Sequence, residues 1–344
     1  MPTLKLGTRG SQLALFQANA VAALLRSHAD VSCELVVIKT SGDRLAEAPL
    51  AQIGGKRLFV KEIEDALLDG VVDMAVHSSK DMPAMLPDGL ALGAALPRED
   101  PRDAIVLPVP SVVEGPAAGG VEEPVPSGAE GPASTTSIED IVRQLPHAPR
   151  IGTSSVRRTS QLLQLLPNAR FDPIRGNLDT RLRKLDTGGF DAIVLAAAGL
   201  RRLGHAARIS AVLPPRVCVP APGQGIIAVE VRSGDHHVRA IVDRINDPDS
   251  AAALAAERMV VLRLGGGCQM PIGACATATE AGLSLTTIVL SLDGARAVRA
   301  DAAGPMSEAE AIGARAAERL LEQGAGAILE EVELTRAVVK GLQP

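Results

Sequence analysis

The sequence predicts an α/β protein of two similar lobes built on mainly parallel sheets, followed by a smaller α+β domain. Three observations lead there. A chain of 344 residues is longer than one ordinary hydrophobic core holds together and suits two or three compact units. Strand-like and helix-like stretches alternate through both halves, as in β–α units whose helices cover a mostly parallel sheet. The opening of the first half, Leu6-Gly7-Thr8-Arg9-Gly10-Ser11-Gln12-Leu13, is echoed in the second by Ile151-Gly152-Thr153-Ser154-Ser155-Val156-Arg157-Arg158.

Taken in order, Leu4-Lys5-Leu6 reads as a strand, and a helix starts at Ser11 with Leu13, Phe16, Ala20 and Leu24 along one face. Cys33 to Lys39 reads as a strand, Leu58 to Leu68 as a helix closed by Gly70, and Met74 to His77 as a short buried strand. From Val109 to Ser137 the composition turns to Pro, Gly, Ser, Ala and Glu without apolar periodicity, which predicts a disordered surface insertion. Order resumes at Arg150-Ile151-Gly152, with helices expected from Val156 to Leu166 and from Leu178 to Asp186 and buried strands at Ala192 to Ala197 and Ile226 to Val231. Beyond Asp247 the pattern predicts a helix from Ala251 to Leu264, a glycine-rich turn through Cys268, strands around Leu283 to Leu292 and an amphipathic helix from Glu308 to Gln323.

Composition narrows the function. The chain is 46% hydrophobic and 22% charged, typical of a globular protein, and no run of about 18 apolar residues could span a bilayer. The first ten residues lack the apolar core of a secretory signal, so a cytoplasmic location is expected and no membrane partner. Cys33, Cys218, Cys268 and Cys275 are scattered without C-x-x-C spacing, against a disulfide framework or a zinc site. A net charge of −5 with no Trp, no Tyr and four Phe leaves little for nucleic acid to bind or stack on.

Four features could carry chemistry. Each of the two echoed segments is a strand, a small-residue turn and a helix start, where free N–H groups attract anions, although an ordinary capped helix looks the same taken singly. Arg157, Arg158, Arg175, Arg181, Arg183 and Lys184 gather in the second lobe. Arginines at a helix start oppose the dipole, which favours a role in gripping carboxylates or phosphates over stability, with a solvated basic face as the alternative. Lys80 and Asp81 follow a buried strand at its carboxyl end, where open α/β sheets bind ligands, and a loop ion pair would show the same residues. His77 taken singly is a core or loop histidine. Cys268 sits after three glycines, exposed to close approach, and is either an attachment point or an incidental thiol.

Together these segments resemble the porphobilinogen deaminase family nearly end to end, apart from the insertion. The matching motifs are Gly7-Thr8-Arg9-Gly10-Ser11, Gly54-Gly55-Lys56-Arg57-Leu58-Phe59, Val76-His77-Ser78-Ser79-Lys80-Asp81-Met82-Pro83, Arg98-Glu99-Asp100-Pro101-Arg102-Asp103-Ala104, Gly152-Thr153-Ser154-Ser155-Val156-Arg157-Arg158, Arg175-Gly176-Asn177 and Gly265-Gly266-Gly267-Cys268-Gln269. Each is weak alone and their combination is specific. Ser41, Gln52 and Phe16 depart from residues common in the family.

The resemblance implies a transferase of haem biosynthesis that condenses four porphobilinogens head to tail into hydroxymethylbilane. Each loses ammonia to give an azafulvene attacked by the growing chain, on a dipyrromethane cofactor joined to Cys268. It implies Asp81 as the catalytic carboxylate. Cofactor and growing chain would be held by Ser78, Lys80, Thr153, Ser154, Ser155, Arg157, Arg158, Arg175 and Arg181, and incoming substrate by Arg9, Ser11, Gln17, Lys56 and Phe59. Every pyrrole brings two carboxylates, a load that suits arginine forks. The implied fold has two lobes like those of periplasmic solute-binding proteins, with mixed, mainly parallel sheets. Residues 1–100 with 221–245 would form the first, 101–220 the second, and 246–344 the C-terminal domain with the cysteine. A monomer and hand-off of product to uroporphyrinogen-III synthase are also implied. The rival reading is a non-catalytic two-lobed binding protein for an anionic solute, which leaves Cys268 unexplained.

Overall fold

Leu4 and Leu6 are buried while Thr3 and Lys5 are exposed, the two-residue alternation that starts β1 (Thr3–Thr8). Ser11 caps α1 (Gln12–Ala29) by accepting from the Ala14 N–H, and Asp30 closes it in the left-handed region. The chain continues through β2 (Ser32–Val37), α2 (Lys61–Leu68), β3 (Met74–Ser78) and β4 (Leu90–Ala95). The computed structural model describes residues 3–41, 60–109, 137–267 and 269–341. Lys56, Phe59, Cys268 and residues 110–136 of the expected insertion therefore lie outside the described residues.

A second series follows: β5 (Asp103–Val106), α3 (Ile138–Gln144), β6 (Arg150–Gly152), α4 (Val156–Leu162), β7 (Arg170–Asp172), α5 (Leu178–Lys184), β8 (Ala192–Ala196), α6 (Ala197–Arg202) and β9 (Ala211–Leu213). The chain then returns to the first sheet as β10 (Ile227–Arg232). The first sheet has the order β2-β1-β3-β10-β4 and the second β7-β6-β8-β5-β9. The two orders correspond strand for strand. In each sheet the fourth strand alone runs against the others: β10 is antiparallel to β3 and β4, and β5 to β8 and β9. Each reversed strand adjoins a crossing between the sheets, β5 after the first (96–102) and β10 after the second (214–226). The expected mixed, mainly parallel sheets are therefore present, and the echoed segments occupy equivalent places, β1–α1 and β6–α4.

The C-terminal part is an antiparallel three-stranded sheet, β11 (Ile272–Thr279), β12 (Gly282–Leu290) and β13 (Ala297–Gly304), in the order β11-β12-β13. α7 (His236–Val242) packs on the first sheet, whereas this sheet is covered by α8 (Pro248–Arg263), α9 (Ala309–Glu322) and α10 (Ala325–Gly341). Its core joins alanines of α8 and α9 to Leu283, Leu285 and Val289 of β12. Sequence periodicity missed α10, β11 and β13. It also ran the helix at Val156 one turn too far, since α4 ends at Leu162. Among the described residues no helix is long and apolar enough to cross a membrane.

Candidate active site

The carboxyl ends of β1 and β3 face a concave pocket lined by Arg9, Ser11, Gln17, Ser78 and Asp81, with Leu13, Ala14, Val60 and Val76 as its apolar wall. β1 delivers Arg9 and α1 delivers Ser11 and Gln17. The short 3-10 turn Ser79–Asp81 after β3 delivers Lys80 and Asp81. Gln17 is buried, its side-chain amide lying 2.8 and 3.1 Å from Ser78 Oγ. Five residues expected at the site from sequence are thus brought together on one lobe.

The second lobe supplies the cations. Arg181 is fixed by a hydrogen bond from its Nε to the Gly176 carbonyl at 2.8 Å. Gly176 itself has φ +108, and a side chain there would run into Thr180. Burial, and then the neighbouring charge of Arg158, push the Lys80 ammonium down from 10.5 to about 8, against the pull of Asp81 and Asp103. Burial and Arg158 likewise bring Arg181 down to about 10, with Asp81 opposing and Arg175 adding to the effect. Lys80, Asp81, Arg158, Arg175 and Arg181 therefore share one electrostatic neighbourhood spanning both lobes, in which cations repel one another. An anion placed there relieves that repulsion.

Arg157 and Arg158 are not the free forks that the sequence suggested. Both are buried, and both turn onto Asp103: Arg157 Nη1 lies 2.7 Å from Oδ2, and Arg158 Nε 2.9 Å from Oδ1. Arg157 Nη1 also donates to the Val219 carbonyl at 2.7 Å and Arg158 Nη1 to that of Val194 at 2.8 Å. The physical reason is that two guanidinium groups cannot be buried side by side without a counter-charge. Burial opposes the charges, yet the pairing outweighs it, holding the Asp103 carboxyl below and the Arg157 guanidinium above their ordinary ranges. The hydroxyls of the β6–α4 turn are also locally engaged: Thr153 accepts from the Ser155 N–H, Ser154 donates to the Ile174 carbonyl, and Ser155 caps α4.

Sequence reasoning gave no role to Asp103, Gln224 or Glu257. Gln224 Nε2 donates to Asp103 and to the Pro101 carbonyl, and its Oε1 accepts from Lys80 Nζ at 3.3 Å. Glu257 of α8, wholly shielded, accepts from Arg98 of the first crossing at 2.6 Å, from the Gly223 N–H of the second at 2.6 Å and from the Ala276 N–H of β11 at 2.7 Å. One carboxylate thus ties both crossings to the C-terminal sheet. A signal was available: Gly223-Gln224-Gly225 surrounds a polar residue with two glycines, both at positive φ, where added side chains would strike Ser79 and the Glu99 backbone.

These features define a two-lobed α/β protein with clustered cations on its second lobe near a carboxylate at the mouth of a polar pocket on its first. Residues 4–240 match the family model described as porphobilinogen deaminase, dipyromethane cofactor binding domain, and residues 251–322 match porphobilinogen deaminase, C-terminal domain. The porphobilinogen deaminase of Moorella thermoacetica is 44% identical over 342 residues, 99% of this chain and 100% of that one. That of Syntrophobacter fumaroxidans is 44% identical over 330 residues, 96% and 97% of the two chains. The chain belongs to the porphobilinogen deaminase family, transferases of tetrapyrrole biosynthesis with a dipyrromethane cofactor. Among solved structures it is similar to the methionine-binding protein MetQ, with TM-score 0.40 and 14% identity over 74% of this chain and 94% of that one. It is also similar to the periplasmic VFT2 domain of Bordetella pertussis BvgS, with TM-score 0.38 and 16% identity over 71% and 86%.

Proposed function

We propose that the pocket of the first lobe takes each incoming porphobilinogen while the cationic wall of the second lobe holds the cofactor and the growing pyrrole chain, with Asp81 between them as the catalytic carboxylate. The observation that carries this is the shared neighbourhood of Lys80 and Asp81 with Arg158, Arg175 and Arg181 across the two lobes. The donor set fits the cofactor, whose carboxylates would be met by mutually repelling cations. When bound, the dipyrromethane supplies the nucleophilic pyrrole carbon that begins the chain.

The chain's own groups do the rest. Arg9 pairs with a substrate carboxylate, while Ser11, Gln17 and Ser78 offer polar contacts. Asp81 accepts hydrogen bonds from pyrrole N–H groups, stabilises the positive charge that develops as ammonia leaves and takes the proton lost at the carbon that forms the new bond. Lys80, Arg175 and Arg181 bind carboxylates of the chain, and Thr153, Ser154 and Ser155 shape the turn beneath it. Lys56 and Phe59, outside the described residues, would add to the substrate contacts, and Cys268 would hold the cofactor through a thioether. Four condensations and a hydrolysis then yield hydroxymethylbilane.

We further assign residues 1–100 with 221–245 to the first domain, 101–220 to the second and 246–344 to the third, since β10 completes the first sheet only after the second is built. A monomer in the cytoplasm that passes its unstable product to uroporphyrinogen-III synthase is the setting we infer. The test is intact-protein mass spectrometry of the wild type and Cys268→Ser after expression in cells that make porphobilinogen. A dipyrromethane-sized excess only in the wild type supports the assignment. Its absence, with none gained on adding porphobilinogen, returns the chain to reversible binding of an anionic solute.

A further inference from the structure

We propose that Asp103 is the positioning residue of the cleft, a buried carboxylate at the crossing between the lobes that aims Arg157 and Arg158 and ties them to Lys80. It rests on the reading of the cleft as a polyanion site. Asp103 opens β5 directly after the first crossing and has no solvent exposure. Its Oδ2 accepts from Arg157 Nη1 at 2.7 Å and from the Cys218 thiol at 3.4 Å. Its Oδ1 accepts from Arg158 Nε at 2.9 Å and from Gln224 Nε2 at 2.9 Å, and lies 2.8 Å from Arg158 Nη2. Gln224 Oε1 accepts from Lys80 Nζ at 3.3 Å. An unbroken run of polar contacts therefore leads from the second lobe's arginines through Asp103 and Gln224 to the residue beside Asp81.

Charge explains why one carboxylate serves two arginines. Two acids would neutralise the pair and leave nothing to attract an anion, whereas none would leave two buried like charges in contact. One acid orients both and leaves a net positive charge, which is felt at Lys80 and Arg181. The backbone is adapted to the link as well: Gly223 and Gly225, either side of Gln224, are at φ +73 and +90 and pack where a Cβ would collide with Ser79 and Glu99. Asp103 touches no position assigned to substrate, so it acts through the groups it holds.

The test uses the full-length, cofactor-loaded protein. The wild type is checked first for adduct and turnover, which stand or fall with the reading of the cleft whatever Asp103 does. Asp103→Asn, which keeps size and removes charge, is then compared in three readouts. The expected result is retained adduct, a porphobilinogen KM within about twofold, and a kcat lower by on the order of tenfold or more, with partly elongated chains accumulating on the protein. Lys80, deprived of an anion that supports its charge, should also label with an amine-directed reagent at lower pH than in the wild type. A folded Asp103→Asn with normal kcat and normal Lys80 labelling overturns the proposal, even if its melting temperature is lower. Should Asp103→Asn not fold, Gln224→Met cuts the link while leaving both arginines paired. The same two changes are expected, and wild-type values there overturn the proposal equally.

Discussion

The two lobes share a strand order and an equivalent strand–turn–helix opening, yet they use that opening differently. At β1–α1 the helix start remains at the rim of a pocket, with Arg9 and Ser11 lining it. At β6–α4 the arginines of the first turn are drawn inward onto Asp103, and the cationic face passes to Arg175 and Arg181 of the following segment. The difference comes from the reversed strand of each sheet. β5 begins with Asp103 beside α4, whereas β10 carries its buried carboxylate, Glu230, against His77 of β3, 3.0 Å away. One motif thus lines a polar pocket in one lobe and becomes a charged pivot in the other, according to where a neighbouring strand places its acid.

The largest effect that separates pocket from pivot is expected from Asp81→Asn. Loss of a positioned acid–base group costs roughly 10²–10⁴ in rate, so turnover should nearly vanish while the adduct mass and melting curve remain those of the wild type. Equal loss of adduct would move Asp81 from the reaction to cofactor binding. On the pivot side, Glu257→Ala leaves Arg98 buried without its partner and should destabilise the chain by about 3–5 kcal/mol. Thermal melting would register this as a marked drop, and an unchanged melt would mean that the three parts are not joined through this carboxylate.

A smaller, pH-dependent effect falls between the two. Folded Lys80 titrates near 8 rather than 10.5, so between those values the unfolded chain binds more protons than the folded one. Stability from this group therefore rises with pH across that window, while anion binding, which needs the ammonium, declines. Retention of elongated intermediates should loosen as pH passes about 8, shift upward when the cleft holds more carboxylates, and lose this step in Lys80→Met. Gln17→Ala is expected to raise KM about tenfold with kcat little changed, because the amide supports Ser78 on the substrate side; a fall in kcat alone would assign Gln17 to the reacting groups. Least of all, Lys61→Ala removes an exposed helical ion pair with Asp65 and should shift stability by less than about 0.5 kcal/mol, visible neither in melting nor in rate.

Much of the site was legible because its residues lie in short contiguous motifs. Arg9 and Ser11 follow one strand and Lys80 and Asp81 another, so local pattern alone places them at strand ends. Arg157 and Arg158 stand side by side at the start of α4, but their orientation onto Asp103 was not legible. Nothing near them in sequence announces Asp103, which is 54 and 55 residues away. The same distance problem hid Glu257, which meets Arg98 across 159 residues. Weak periodicity concealed β13, whose buried residues are only alanines, Ala300 and Ala302.

By itself the sequence determined the alternation of strands and helices, the doubled opening motif and the supply of cations, because hydrophobic period and turn chemistry act over a few residues. Only the tertiary structure decided which strand is reversed in each sheet, which arginines are drawn onto Asp103, and how three parts meet at Glu257. Those outcomes depend on charges and backbone groups brought together from distant segments, where burial makes each unpaired group costly and so dictates its partner.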